Sequence, residues 1–194
     1  LGLVADEGAV QLLRGTRSGL VAWQYWTVGN ATGGAAAGTP CDCRFGAALA
    51  AGDFDDDGRD DLAIGMPNKD LPREPGETGK PAVMTDAGAV TVLYGSGAGL
   101  SSAGFDLIAP RNGDAPAYQR DALGIWGDHF GIALAAGDHD GDRAGAAPDD
   151  LAIGEYASVT VLVGTGARVG TRGGVDATVC DLGFANAGCR RLVV

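Results

Sequence analysis

Short apolar runs with a two-residue alternation recur along the chain and predict β-strands. In the run 88–95 valine and threonine alternate, so the valines share one face of an extended segment. The runs 8–15 and 157–164 repeat this pattern, and all three end in a turn of small residues. The chain therefore contains three copies of one predicted strand.

A second repeated pattern joins a Phe-Gly pair, an apolar run and a cluster of aspartates. It begins at Phe45 and again at Phe130, and in each copy the aspartates lead into the run Asp-Leu-Ala-Ile-Gly, at 61–65 and 150–154. Apolar runs this short, bounded by glycine, are more typical of strands than of helices. Each copy is therefore predicted to be a strand, an acidic loop and a second strand.

The length of these repeats indicates the blades of a β-propeller. One small sheet cannot bury its own faces, so four-stranded units stack against their neighbours. For the middle unit the predicted strands are 47–52, 61–66, 88–94 and 103–108, and a strand at 20–28 finishes the preceding unit. We predict one all-β domain over 1–194 made of antiparallel blades, with blade pieces at about 1–30, 45–110 and 130–194.

The predicted blades are too few to close a ring. Propellers typically have about four to eight blades, whereas these repeats account for about two and a half. Three arrangements stay open: the chain is a fragment or cleaved piece of a larger protein, several chains complete one ring, or the propeller is partial with capped edges.

The first acidic loop has the spacing of a calcium site. Asp53, Asp55 and Asp57 alternate with other residues, so a tight loop can direct all three carboxylates to one point. Asp61 adds a fourth carboxylate, and the main-chain carbonyl of Arg59 is predicted to be a further ligand. Because packed carboxylates repel one another, such an all-oxygen cluster favours a hard cation, and Ca²⁺ over Mg²⁺ or Zn²⁺.

An EF-hand does not explain this loop. That motif needs a glutamate at its twelfth position and a helix on either side. Counted from Asp53, the twelfth residue is Ile64, and the flanking runs are predicted strands. The loop is therefore predicted to join two strands of one blade.

The second acidic loop keeps the aspartates but is longer. Its candidate ligands are Asp138, Asp140, Asp142 and Asp150. The extra residues 143–148 are expected to bulge outward, because added loop length costs little free energy. We therefore expect two Ca²⁺ sites, with solvated acidic turns as the alternative in both loops.

These motifs together resemble the FG-GAP repeat of integrin α-subunit β-propellers and their bacterial relatives. The resemblance rests on Phe45-Gly46, the first acidic loop, the run 61–67 and Gly88-Ala89-Val90. The second copy is similar at 130–154, although Glu155-Tyr156 stands where the first has Met66-Pro67. Residues after about 170 resemble no known motif.

The resemblance implies a calcium-stiffened, secreted or cell-surface propeller that binds proteins or glycans on one face. In this family the metal ions usually brace loops on the lower rim and do not touch the ligand. The resemblance therefore assigns metal residues, and it leaves the ligand and the role of residues 170–194 open.

Composition and charge exclude some classes of partner and structure for this chain. The formal net charge is −11, which argues against nucleic acid and anionic membrane surfaces as partners. No apolar run approaches the ~20 residues of a membrane span, so no membrane insertion is expected. The 34 glycines leave little room for long helices and agree with a turn-rich β protein.

The four cysteines predict disulfide bonds in an oxidising compartment. Cys180 and Cys189 are close enough in sequence to close a short loop. Cys41 and Cys43 either form a cramped local bridge or pair elsewhere, and zinc binding by these two is the alternative.

Two function classes remain. The leading one is a non-catalytic, calcium-dependent module for adhesion or recognition of a protein or glycan, and the alternative is an accessory or partial unit of a secreted enzyme, for example a polysaccharide-degrading one, with its active site elsewhere. Enzymatic activity of the chain itself is not expected, since its two histidines stand in no catalytic motif. Four aromatic residues are candidates for ligand contact, with packing between blades as the competing role: Trp23, Tyr25, Trp26 and Trp126.

Overall fold

The computed structural model describes residues 7–32, 42–72, 83–109, 127, 129–139, 148–156, 158–164, 176–181 and 188–193. The elements in chain order are β1 (Val10–Thr16), β2 (Gly19–Trp26), α1 (Val28–Ala31), β3 (Leu49–Gly52), β4 (Asp61–Met66), β5 (Leu71–Pro72), β6 (Val83–Met84), β7 (Ala89–Tyr94), β8 (Ser101–Ile108), β9 (Ala133–Gly137), β10 (Asp150–Gly154), β11 (Ser158–Leu162), β12 (Asp176–Asp181) and β13 (Gly188–Val193). The fold is all-β apart from one short helix, and every strand pairing is antiparallel.

The middle sheet is a four-stranded propeller-type blade. Its strands lie in the order β3-β4-β7-β8, and the small hairpin β5-β6 is inserted between the second and third strands. The predicted strand 61–66 is confirmed, while the other three shift by one or two residues at their starts. Every residue of β7 is buried, including Thr91, because neighbouring sheets cover both faces of this strand.

The first sheet consists of the hairpin β1-β2. It carries the first of the three predicted strand copies, but the strand predicted at 20–28 is wrong at its end. The strand stops at Trp26, and Thr27 begins the helix α1 by donating its backbone N–H to Asn30 Oδ1 at 2.7 Å. A side-chain acceptor at this position satisfies a backbone donor that a helix start leaves unpaired.

The third sheet has five strands, in the order β13-β12-β11-β10-β9. Four strands were expected for each blade, so β13 is an additional strand. Both β12 and β13 come from the part of the chain after residue 170, which resembles no known motif. The structure pairs these residues onto the blade.

The Phe-Gly pairs connect each sheet to the next. Phe45 forms a parallel bridge with Gly8, and Phe130 forms the same bridge with Gly88. Gly8 and Gly88 have φ of 80° and 84°, and a Cβ atom on either would overlap backbone atoms of the partner phenylalanine. Glycine is needed at both junctions because only it combines this backbone conformation with so close an approach.

Two hydrophobic clusters lie between successive sheets. One packs the middle sheet against the first through residues such as Val10, Phe45 and Ile64. The other packs it against the third through residues such as Phe54 and Leu151. Neighbouring residues of β4 and β7 alternate between the two clusters, as the two-residue period of a strand requires. In the described residues, no helix reaches the length and apolar character needed to cross a bilayer.

Candidate metal centre

The first acidic loop joins β3 to β4 at one end of the middle sheet. Gly52 at the end of β3 pairs with Asp61 at the start of β4, so Asp53 and Asp61 are held close together by the strand register. Carboxylate oxygens of Asp53, Asp55 and Asp61 lie within 4.8 Å of one another. Three of the four predicted carboxylates of this loop therefore converge.

Backbone donors inside the loop hold Asp53 in place. Its Oδ1 accepts a hydrogen bond from Asp57 N–H at 3.1 Å, and its Oδ2 accepts one from Gly58 N–H at 2.9 Å. The reversal places Asp56 and Gly58 at φ of 59° and 82°, a conformation that aspartate and glycine tolerate better than most residues. The sequence therefore closes the loop around its first carboxylate.

Asp61 is almost fully buried at the base of the loop. Its Oδ2 accepts a hydrogen bond from Phe54 N–H at 2.9 Å, and its Oδ1 accepts one from Gly95 N–H at 2.8 Å. Burial, together with the nearby carboxylates of Asp55 and Asp53, raises the pKa of Asp61 to about 6, although the two hydrogen bonds lower it. A bound cation would offset this cost of keeping Asp61 ionised.

Phe54 anchors the loop in the core. Its side chain is fully buried in the cluster between the middle and third sheets, although its neighbours in the loop are acidic. In the sequence, Phe54 is one of the residues that separate the alternating aspartates, and no core role was predicted for it. Its apolar character within an acidic run is the signal that would have identified it.

Asp57 lies apart from the three converging carboxylates. Its Oδ1 accepts a hydrogen bond from Arg59 N–H at 2.9 Å, and its Oδ2 lies 3.3 Å from Arg59 Nη1 in an exposed ion pair. The predicted ligand role of Asp57 and of the Arg59 carbonyl remains a prediction.

The second acidic loop repeats the frame of the first. Asp150 is buried, and its carboxylate accepts hydrogen bonds from His139 N–H at 2.7 Å and Gly164 N–H at 2.8 Å. These partners correspond to Phe54 and Gly95 around Asp61. Asp138 directly follows β9, whereas Asp140 and Asp142 lie outside the described residues. A second metal site therefore stays a prediction.

The donor atoms of the first loop fit a hard divalent cation. All three converging groups are carboxylates, and the group contains neither nitrogen nor sulfur donors. Oxygen ligands of this type suit ions such as Ca²⁺ and Mg²⁺ better than soft metals. The loop of Asp53, Asp55 and Asp61 can thus hold a metal ion.

The aromatic candidates divide between surface and core. Trp23 and Tyr25 are 42% and 58% exposed, whereas Trp26 is buried with its Nε1 lacking a hydrogen-bond partner among the described residues. The guanidinium carbon of Arg14 lies 5.5 Å from the Trp23 ring centroid. Trp126 lies outside the described residues.

Not all of the cysteines in the predicted disulfides lie within the described residues. Cys43 is buried, and Cys41 lies outside the described residues. Cys180 and Cys189 stand directly opposite each other in the pairing of β12 with β13. That register agrees with the predicted short loop closed by these two cysteines, and the pairing remains a prediction.

Comparison with known proteins supports the assignment of the middle sheet. A scan against protein-family models matches residues 45–93 to the FG-GAP repeat. This range starts at the Phe-Gly pair, includes the whole first acidic loop and ends in β7. A search of curated proteins returns no match. The chain carries an FG-GAP repeat at 45–93 within a β-propeller-like, all-β fold.

Proposed function

We propose that the chain is a non-catalytic, calcium-binding propeller module that acts outside the cell in the adhesion or recognition of a protein or glycan. The observation that carries this proposal is the convergence of the Asp53, Asp55 and Asp61 carboxylates inside an FG-GAP repeat. Modules of this kind occur in integrin α-subunits and in bacterial relatives, which are the resemblances noted from the sequence.

The metal's role in this proposal is structural. Asp53, Asp55 and Asp61 would hold Ca²⁺, with Asp57 and the Arg59 carbonyl as further oxygen donors. The ion would supply positive charge where three carboxylates meet, and it would tie the end of β3 to the start of β4. Since Asp61 also binds Gly95 N–H at the end of β7, three strands of the blade are connected through the site.

The exposed aromatic residues of the first sheet support a recognition role. Trp23 and Tyr25 present large ring surface to solvent, and Arg14 stacks over Trp23. Tyrosine, tryptophan and arginine are common in protein interfaces because they contribute large contact areas and specific polar groups. We propose that this hairpin surface contributes to binding a protein or glycan.

Calcium titration with thermal unfolding tests the metal assignment. A ligand that binds only the folded state must raise the unfolding temperature as its concentration rises. We expect millimolar Ca²⁺ to stabilise the protein relative to a chelator, and Asp53→Ala/Asp55→Ala to remove most of that shift. Asp60→Ala is the matched control, because Asp60 lies in the same loop outside the converging group. An unfolding temperature that calcium leaves unchanged would refute the metal assignment.

A binding screen tests the recognition role separately. Glycan and protein arrays probed in calcium should yield a ligand whose binding weakens with Trp23→Ala/Tyr25→Ala. These exposed substitutions should leave the unfolding temperature nearly unchanged. Binding that persists at full strength in this variant would exclude the hairpin surface.

A further inference from the structure

The two acidic loops are joined directly by Asp149, a residue that lies just before the second loop's buried Asp150. Asp149 N–H donates a hydrogen bond to the Asp53 carbonyl at 2.7 Å. Its carboxylate Oδ2 accepts a hydrogen bond from Asp53 N–H at 3.2 Å. Both main-chain polar groups of the first loop's leading aspartate are thus bonded to one residue of the next sheet. We call this pair of contacts the Asp149–Asp53 bridge.

The close approach of the two sheets at this point depends on small residues. A Cβ atom on Gly52 would lie 2.9 Å from Asp149 Oδ2 and 3.1 Å from Ala136 Cβ. Because such contacts are tighter than ordinary van der Waals separations, a side chain here would push Asp149 away. Glycine at this position therefore gives Asp149 access to the backbone of Asp53.

The bridge continues into the frame of the second loop. Asp150, the next residue, accepts hydrogen bonds from His139 N–H and Gly164 N–H. His139 directly follows Asp138, the first predicted ligand of the second loop. A short path of covalent and hydrogen bonds therefore runs from Asp53 through Asp149 and Asp150 to the start of the second loop.

Asp60 in the first loop is the counterpart of Asp149 and allows the two to be compared. Asp60 occupies the position before Asp61 that Asp149 occupies before Asp150, and the carbonyls of both lie against the corresponding glycines, Gly95 and Gly164. The Asp60 side chain is exposed and, within the described residues, makes no hydrogen bond to another loop. The two equivalent aspartates thus have different surroundings.

We propose that Asp149 is a positioning residue for the first metal loop. This inference rests on the proposed function, since it requires metal binding by the first loop. The bridge holds the backbone of Asp53, the leading carboxylate residue of that loop, in place before a cation binds. The loop then loses less conformational entropy when it binds the cation.

The binding test uses the full chain with the second loop disabled by Asp138→Ala, so that calorimetric Ca²⁺ titration reports the first loop. Adding Asp149→Ala should weaken that affinity by about fivefold or more, as expected for the loss of one hydrogen bond that positions the loop. Asp149→Asn keeps a side-chain oxygen acceptor and should stay within about twofold, as should Asp60→Ala, since an exposed charge is screened by salt. Gly52→Ala should weaken binding without removing any carboxylate.

The comparison between variants separates the bridge from simple loss of charge. If Asp60→Ala or Asp149→Asn weakens Ca²⁺ binding as much as Asp149→Ala does, charge alone explains the effect and the proposal is overturned.

A metal-free measurement keeps this inference separate from the proposed function. In chelator, amide hydrogen exchange of a peptide covering 53–58 should be faster in Asp149→Ala and unchanged in Asp60→Ala. Failure of every variant to bind Ca²⁺ would refute the metal assignment, whereas the exchange result would still decide whether Asp149 holds the loop. Exchange that Asp149→Ala leaves unaltered would refute the positioning role.

Discussion

Gln24 binds the backbone of Leu100 with both ends of its side-chain amide. Its Nε2 donates to the Leu100 carbonyl at 2.9 Å, and its Oε1 accepts from Leu100 N–H at 3.0 Å. Gln24 lies in β2 of the first sheet, while Leu100 lies in the turn before β8 of the middle sheet. The amide thus acts as a short strand partner that connects two sheets.

Loss of this amide should destabilise the protein. Gln24→Ala removes two partly buried hydrogen bonds, each worth about 1 kcal/mol net, so we expect a loss of about 1–2 kcal/mol in the free energy of unfolding. Urea titration in chelator measures it. Gln11→Ala is the control, since Gln11 bonds only within its own hairpin and at an exposed position, where water can replace its partners. Equal losses in both variants would contradict a special role for the Gln24 contact.

Substitution of Gly88 should be much more damaging. Gly88→Ala places a side chain at φ of 84° and against the backbone of Phe130, so we expect a loss of at least about 2 kcal/mol or failure to fold. Thermal unfolding is the measurement. Gly97→Ala is the matched control, because a Cβ there meets open space and the backbone conformation is ordinary. A stable Gly88→Ala variant would show that the junction adapts.

Truncation of Phe54 should affect both the core and the acidic loop. The side chain is fully buried, and removing a buried phenylalanine ring typically costs about 3–5 kcal/mol. We therefore expect a lower unfolding temperature and weaker Ca²⁺ binding, because the backbone next to Asp53 loses its anchor. Phe54→Leu should retain most of the stability and most of the affinity. If Phe54→Ala lost stability but kept its full affinity, the loop would not depend on this anchor.

The metal-free protein should become less stable as the pH rises through the range in which Asp61 titrates. Burial raises the pKa of Asp61 from its ordinary value of 3.8 to about 6, so the folded state holds this proton more tightly than the unfolded state. This group's contribution to stability is therefore most favourable below about pH 4, and it is lost as the pH increases toward 6.

Asp61→Asn isolates this contribution from that of other carboxylates. The difference in free energy of unfolding between the unsubstituted protein and the variant should change with pH between about 4 and 6, measured by urea titration in metal-free buffer. Millimolar Ca²⁺ should reverse the trend for the unsubstituted protein, because the metal binds the ionised carboxylate. A pH-independent difference without metal would contradict the raised pKa of Asp61.

Much of the fold could be predicted from repetition. The two Phe-Gly pairs, the three strand copies and the Asp-Leu-Ala-Ile-Gly runs reflect local patterns that alternate with a strand's period, so the blade architecture followed from them. The exact end of β2 could not be predicted in this way, because a capping hydrogen bond between Thr27 and Asn30 ends the strand. The fifth strand of the third sheet was also missed, since residues after 170 carry no repeated pattern.

The candidate site could be predicted in part. Spacing alone selected Asp53, Asp55 and Asp61, whose carboxylates converge because the strand register holds the loop's two ends together. The placement of Asp57 toward Arg59 was not expected, because it depends on which neighbouring donor the side chain meets. The contact of Asp149 with the first loop was not expected either. The motif Asp-Asp-Leu, repeated at 60–62 and 149–151, is the signal in the sequence that could have drawn attention to this residue.

The sequence by itself determined the repeated strands, the acidic loops and the glycines at which the chain must turn, because all of these follow from local backbone preferences and side-chain chemistry. Only the tertiary structure decided which sheets meet, and therefore that Asp149 contacts Asp53 while the equivalent Asp60 faces solvent. Packing brings together residues that are far apart in the chain. Identical local motifs can consequently acquire different partners.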